Sequence, residues 1–121
     1  MERERVIYPK RGDIYLVNFD PTIGSEINKT RPALIIQNNV SNRYSPVTIV
    51  AAITSSISTE KVYPTEVFLP AGTSGLQLDS LVLLNQIRTI DTQRLVKKLG
   101  SVTKAQLETV NRAIVVSLAV E

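Results

Sequence analysis

From Asp13 onward the chain alternates short apolar runs with polar, turn-forming stretches, a pattern that predicts strands. DIYLVNF is rich in β-branched and aromatic residues, and DPTIG follows it with turn chemistry from Asp20, Pro21 and Gly24. ALIIQ and VTIVAAIT are nearly continuous aliphatic runs, and the NNVSNRYSP between them predicts a polar loop. STEKVYPTEVFLP carries Pro64 within a strand-like run. Proline cannot donate to a central ladder, so this predicts an edge strand or a bulge. AGTSG turns the chain, and LDSLVLLNQIRTI supplies a long strand. Its first half is apolar, and its second half is polar, where Asn85, Gln86 and Arg88 appear.

Asp91 stands where an N-cap belongs, so TQRLVKKL predicts a short helical turn with Gly100 placed to end it. Thr103 and Gln106 have capping-box spacing. Leu107, Val110, Ile114 and Leu118 then recur on one helical face, which predicts a C-terminal amphipathic helix with that face in the core. Five or more short strands followed by one helix imply a mainly β fold: a small, strongly bent antiparallel sheet or partly open barrel with the helix packed against it. Residues 13–121 read as one domain. Residues 1–12, with Arg3, Arg5, Lys10 and Arg11 around Pro9, read as a basic, partly ordered arm.

Composition narrows the chemistry. A chain of 121 residues with 43% hydrophobic and 21% charged side chains has material for one real core. A formal charge of +3 favours polyanionic partners without identifying one. With no cysteine and no histidine, disulfides, thiolate chemistry and the usual zinc sites are excluded. Asp13, Asp20, Glu26, Glu66 and Asp79 are scattered, so the sequence predicts neither a metal site nor a cofactor. No phosphate-binding glycine loop, dinucleotide fingerprint or helix-turn-helix pattern is present. MERERVIYPKRG lacks the apolar core of a signal peptide and no later run is long enough to span a bilayer, so a soluble cytoplasmic protein is expected.

Against that background SEINKTRPALIIQ stands out, because it sets Glu26 and Arg31 in a short loop opening onto a strand. Taken singly, each candidate has an ordinary alternative. Pro32 can set a strand entry with Arg31 solvated before it, and Thr54 can be a plain strand threonine. Ser25 and Glu26 can close a turn, and Asn85, Gln86 and Arg88 can be the wet end of a strand. Arg43 and Tyr44 fit a solvated surface as well as they fit a nucleic-acid groove.

The order and separation of four stretches carry more weight. RGDIYLVNFDPTIGSE at 11–26, RPALIIQNN at 31–39, IVAAIT at 49–54 and LLNQIRTID at 83–91 together resemble the MazF/PemK (Kid) family of type II toxin–antitoxin endoribonucleases. The resemblance runs along nearly the whole chain after residue 10. It implies an SH3-like β-barrel with a C-terminal helix, a homodimer, metal-independent cleavage of single-stranded RNA, and a cognate MazE-like antitoxin that wraps the toxin and occludes the RNA site. Carried over motif by motif, it implies catalytic roles for Arg31, Thr54 and Glu26 and RNA contacts from Ser25 and Gln86. Arg43, Tyr44 and Arg88 join these as candidate lining residues. Many relatives follow Gly-Ser-Glu with a glutamine and a glycine-containing loop, whereas this chain has Ile27-Asn28-Lys29-Thr30. The departure bears on loop flexibility and base preference.

Two rival classes share the barrel. One is a non-catalytic inhibitor like the gyrase poison CcdB, whose action depends on a tryptophan near the C-terminus; this chain has none. The other is a catalytically silent binding domain, which would need neither Arg31 nor Thr54.

Overall fold

The computed structural model describes residues 8–19, 30–55 and 61–120. In chain order the elements are β1 (Asp13–Asn18), β2 (Thr30–Ile35), α1 (Asn39–Tyr44), β3 (Val47–Thr54), β4 (Glu66–Leu69), β5 (Ser80–Asp91), β6 (Leu95–Ser101) and α2 (Lys104–Leu118). One 3₁₀ turn, Thr92–Arg94, joins β5 to β6. All neighbouring strands are antiparallel, in the order β4-β5-β3-β2-β1-β6. The sheet is therefore open, with β4 and β6 as its edges, and the expected mainly β class with a C-terminal helix holds. Pro64 precedes edge strand β4, where its missing N–H breaks no ladder.

The sheet is apolar on both faces, which is why ALIIQ and VTIVAAIT read as continuous apolar runs. One face buries Ile14, Leu34, Ala51, Ile53, Val82 and Leu84 beneath α2, which contributes Val110 and Ala113. The other face buries Val17, Ala33, Ile35, Val50 and Ile90, flanked by Tyr15, Phe19 and Leu95. The α2 capping box is present: the Gln106 amide donates to the Thr103 hydroxyl at 3.1 Å, and the Thr103 amide donates to the Gln106 side chain at 2.8 Å. Leu107 and Ile114 pack on the core as expected, but Leu118 does not, being 56% exposed. It lies at the last residue of the helix, beside the left-handed cap at Ala119.

Two local expectations are overturned. TQRLVKKL is helical only over Thr92–Arg94, and Leu95–Ser101 is a strand paired with β1. The register skips at Val96 and again at Leu99, so two irregularities break the alternation that would have revealed a strand. Conversely, the polar stretch NNVSNRYSP contains a helix, α1, capped by the Asn38 side chain, which accepts from the Ser41 amide at 2.8 Å. Its polarity hides a buried network. Asn42 accepts from Thr48 at 2.7 Å and from Gln37 at 2.9 Å, and donates to the Gln37 carbonyl at 2.9 Å. An asparagine this buried is tolerated because its hydrogen-bonding groups are matched.

Arg11, counted from sequence within the basic, partly ordered arm, turns inward. Its amide donates to Asn39 (2.7 Å), and its guanidinium donates to the Ile36 carbonyl (2.8 Å) and to Asn111 (2.7 Å). It thereby ties together the end of β2, α1 and α2. Burial pushes its pKa below the ordinary arginine value.

The bend of the sheet brings the β4–β5 connection against the far edge, β6. Backbone meets backbone there: a Cβ at Gly75 would overlap the Leu99 carbonyl, and one at Gly100 would overlap the Ser74 carbonyl. Gly75 also has φ +83°, a region that favours glycine. Gly100→Ala is expected to lower the unfolding free energy by about 1–3 kcal/mol, as overpacking does. Urea denaturation measures this, and an unchanged midpoint would show that the two segments part without strain.

Candidate active site

Arg31 is the second residue of β2 and is exposed. Pairing between β2 and β3 begins only at Ala33↔Ala52, one residue beyond Pro32, so the proline sits where that ladder has already ended. Counting the same register back by two residues sets Arg31 level with Thr54, the last residue of β3, on the face that carries Ala33 and Ala52. The β2–β3 ladder ends short of this level, at Ala33↔Ala52.

The third wall comes from β5. Ala51 pairs with Ile87, but Ala52 pairs with Leu83, so Leu84, Asn85 and Gln86 have no partner on β3. This three-residue excursion divides β5 into a half shared by β3 and β4 and a half that pairs with β3 alone. Bulges of this kind redirect side chains. Here Asn85 and Gln86 emerge exposed beside Arg88, which pairs with Val50.

Phe19, Arg31, Ala52, Asn85, Gln86, Ile87 and Arg88 line one open cavity of about 300 Å³. The Arg88 guanidinium stands over the Phe19 ring at 5.0 Å, a cation–π contact that holds the charge at the rim. Among the described residues the lining holds two guanidinium groups and no carboxylate, so its field favours an anion. The two amides, Asn85 and Gln86, supply donors and acceptors suited to the edges of a planar polar ligand. No three acidic, histidine or cysteine side chains among the described residues converge to hold a metal ion.

The structure thus brings together Arg31, Gln86 and Arg88, with Thr54 on the same face. Ser25 and Glu26 lie outside the described residues, although Phe19 and Arg31, on either side of that stretch, both line the cavity. Arg43 and Tyr44 lie elsewhere. They are on α1, beyond the end of β2 opposite Arg31, with the Arg43 guanidinium 5.4 Å from the Tyr44 ring. Arg43 borders a different cavity with Tyr8, Pro9, Lys10 and Asn39. Phe19 was not singled out from sequence, and Asn85 was marked there only as part of the polar end of a strand, without a site role of its own. An aromatic closing DIYLVNF just before the Asp-Pro turn was the available signal for Phe19.

Comparison with known proteins agrees with this geometry. The profile of the family described as "PemK-like, MazF-like toxin of type II toxin-antitoxin system" matches residues 10–118. Endoribonuclease EndoA of Bacillus subtilis is 46% identical over 110 residues, covering 91% of this chain and 94% of that protein. A solved endoribonuclease from a mycobacterial species superposes with a TM-score of 0.76 at 26% identity, covering 96% of each chain. A mycobacterial endoribonuclease solved in complex with its cognate antitoxin gives a TM-score of 0.73 at 26% identity over 93% of this chain and 97% of that one. The chain belongs to the PemK-like, MazF-like toxin family of type II toxin–antitoxin systems.

Proposed function

We propose that this protein is the toxin of a type II toxin–antitoxin pair, a sequence-specific endoribonuclease that cuts single-stranded RNA without a metal. The observation that carries the reading is the cavity itself. Arg31 and Arg88 meet there with no carboxylate in the described lining, flanked by Asn85 and Gln86, in a chain 46% identical to an endoribonuclease.

RNA brings its own nucleophile, the 2′-hydroxyl, so the enzyme needs neither histidine nor an activated water. It aligns the 2′-oxygen with phosphorus, moves two protons and stabilises a phosphorane-like transition state. The planar fork of Arg31 donates two hydrogen bonds to the phosphoryl oxygens. A guanidinium holds its protons too tightly for ordinary acid catalysis, so it protonates the leaving 5′-oxygen only late, when that oxygen has become strongly basic. Thr54 donates to a nonbridging oxygen, and Glu26 takes the 2′-hydroxyl proton or orients Arg31. The products are a 2′,3′-cyclic phosphate and a 5′-hydroxyl. Ser25, Gln86 and Arg88 contact the RNA, with Gln86 reading base edges. Arg43 and Tyr44, at the other end of the sheet, serve only RNA long enough to reach them.

A cognate MazE-like antitoxin neutralises the toxin by covering this cavity; a mycobacterial relative has been solved with its own cognate antitoxin. The working form is a cytoplasmic homodimer. Residues 13–121 form the toxin domain and residues 1–12 its basic arm. No helix among the described residues is long and apolar enough to cross a membrane.

The deciding experiment incubates wild type and Arg31→Ala with a long single-stranded RNA in EDTA and maps the ends by primer extension. Discrete cuts by wild type alone are expected, and no cutting by either sinks the reading. Arg31→Ala should lose at least ~10²-fold in rate. Arg31 is exposed, so the unfolding free energy should move by less than about 0.5 kcal/mol. Arg31→Lys should be severely impaired as well, since a point charge loses the bidentate geometry, and full activity there would refute the role assigned. The new 5′ ends should accept label from polynucleotide kinase without prior dephosphorylation. Ends that resist labelling until a phosphatase acts would contradict the transesterification route.

A further inference from the structure

Leu84 is the residue at which β5 leaves its ladder. It has no partner on β3 or β4, and it is wholly buried, so its backbone groups need partners within the protein. They have them. The Leu84 amide donates to the Thr65 carbonyl at 2.9 Å, just ahead of β4. The Leu84 carbonyl accepts from the Ser117 hydroxyl of α2 at 2.7 Å. A helical serine commonly turns back to the carbonyl four residues earlier. Ser117 reaches instead across to β5, at the residue immediately before Asn85 and Gln86. No buried side-chain polar atom among the described residues is left without a partner, so the arrangement is complete as it stands.

Resting on the endoribonuclease reading above, we infer that Ser117 is a positioning residue for RNA recognition: its hydroxyl clamps the β5 excursion at Leu84 and fixes the direction in which Asn85 and Gln86 meet the RNA beside Arg31. Ser117 touches neither RNA nor phosphate. It acts through a main-chain carbonyl, and with the Thr65 carbonyl it holds the excursion from both sides. Loss of the hydroxyl orphans a buried acceptor, which the chain escapes by rotating the Leu84–Asn85 peptide. That rotation re-aims both amides while leaving Arg31, on another strand, where it was.

The test compares Ser117→Ala, Ser117→Thr, which keeps a hydroxyl, and Ile114→Val, a packing change on the same helix. Steady-state cleavage of an oligonucleotide carrying a mapped site separates KM from kcat. Ser117→Ala should raise KM about tenfold with little change in kcat, because the groups it misplaces bind RNA equally in ground and transition states. Ser117→Thr should restore KM, and Ile114→Val should lower thermal stability without moving KM. In a double-mutant cycle, Gln86→Ala on top of Ser117→Ala should add much less than it does alone. Multiplicative penalties, an unchanged KM in Ser117→Ala, or a KM shift equally present in Ile114→Val would each overturn the inference. Amide hydrogen exchange gives a readout independent of activity: exchange at 85–87 should quicken in Ser117→Ala and not in Ser117→Thr. If wild type cuts no RNA, the endoribonuclease reading falls by itself. Exchange then decides the clamp, and unchanged rates overturn it.

Discussion

The β3–β5 ladder is not built in one register, and the site depends on that break. Leu81–Leu83 is gripped on both sides, by β3 and by β4, whereas Ile87–Asp91 has β3 alone. A strand that kept one register would continue its inward and outward alternation through Leu84–Gln86. Three unpaired residues instead let a buried leucine be followed at once by two exposed amides. The same break leaves room between β5 and the start of β2, where Arg31 stands. An excursion of backbone next to a core is stable only if its polar groups find partners, and Thr65 and Ser117 provide them from two other elements.

How much of this was legible in the sequence follows from which residues obey simple periods. β1, β2, β3 and the capping box of α2 could be read because apolar runs, turn residues and Thr103/Gln106 spacing report local structure directly. β6 was misread because Leu95 and Leu99 are four apart, a helical spacing. The strand reaches both clusters with them only by skipping register twice. α1 was missed for the opposite reason. Its Asn42 is polar in composition but buried in fact, and one sequence position does not reveal that Thr48 and Gln37 will satisfy it. Leu118 fits the helical period of α2 but stands beyond the reach of the sheet.

The site divides in the same way. Motif order marked Arg31 and Thr54 as candidates, and the fold sets them level with each other across the adjacent strands β2 and β3. Gln86 and Arg88 were legible as the polar half of a strand, but the three-residue break that aims them was not, since LLNQIR carries no proline or glycine to announce it. Arg43 and Tyr44 look like groove residues on paper because cation and aromatic stand side by side. In the fold they stack on each other at the far end of the sheet. Phe19 is the converse case: an aromatic that reads as core and serves as the platform for Arg88.

A net charge of +3 says little about function until the arginines are sorted by environment. Arg11 is built into the structure, its guanidinium donating to a carbonyl and an amide oxygen from within a partly buried site, and removing that side chain would loosen α2 from the end of β2. Arg31 and Arg88 line a single cavity that lacks a carboxylate among its described residues, so each raises the electrostatic cost of the other. Folding gains nothing from that repulsion. Arg88 is held by the face of Phe19, an interaction that fixes a cation without neutralising it, where a carboxylate would cancel the very charge that attracts an anion. On the proposed endoribonuclease reading, a phosphodiester lying between the two guanidinium groups would relieve the repulsion. Its affinity is then greatest where negative charge accumulates, at the phosphoryl oxygens of the transition state, and that differential is what distinguishes a catalyst from a surface that merely binds RNA.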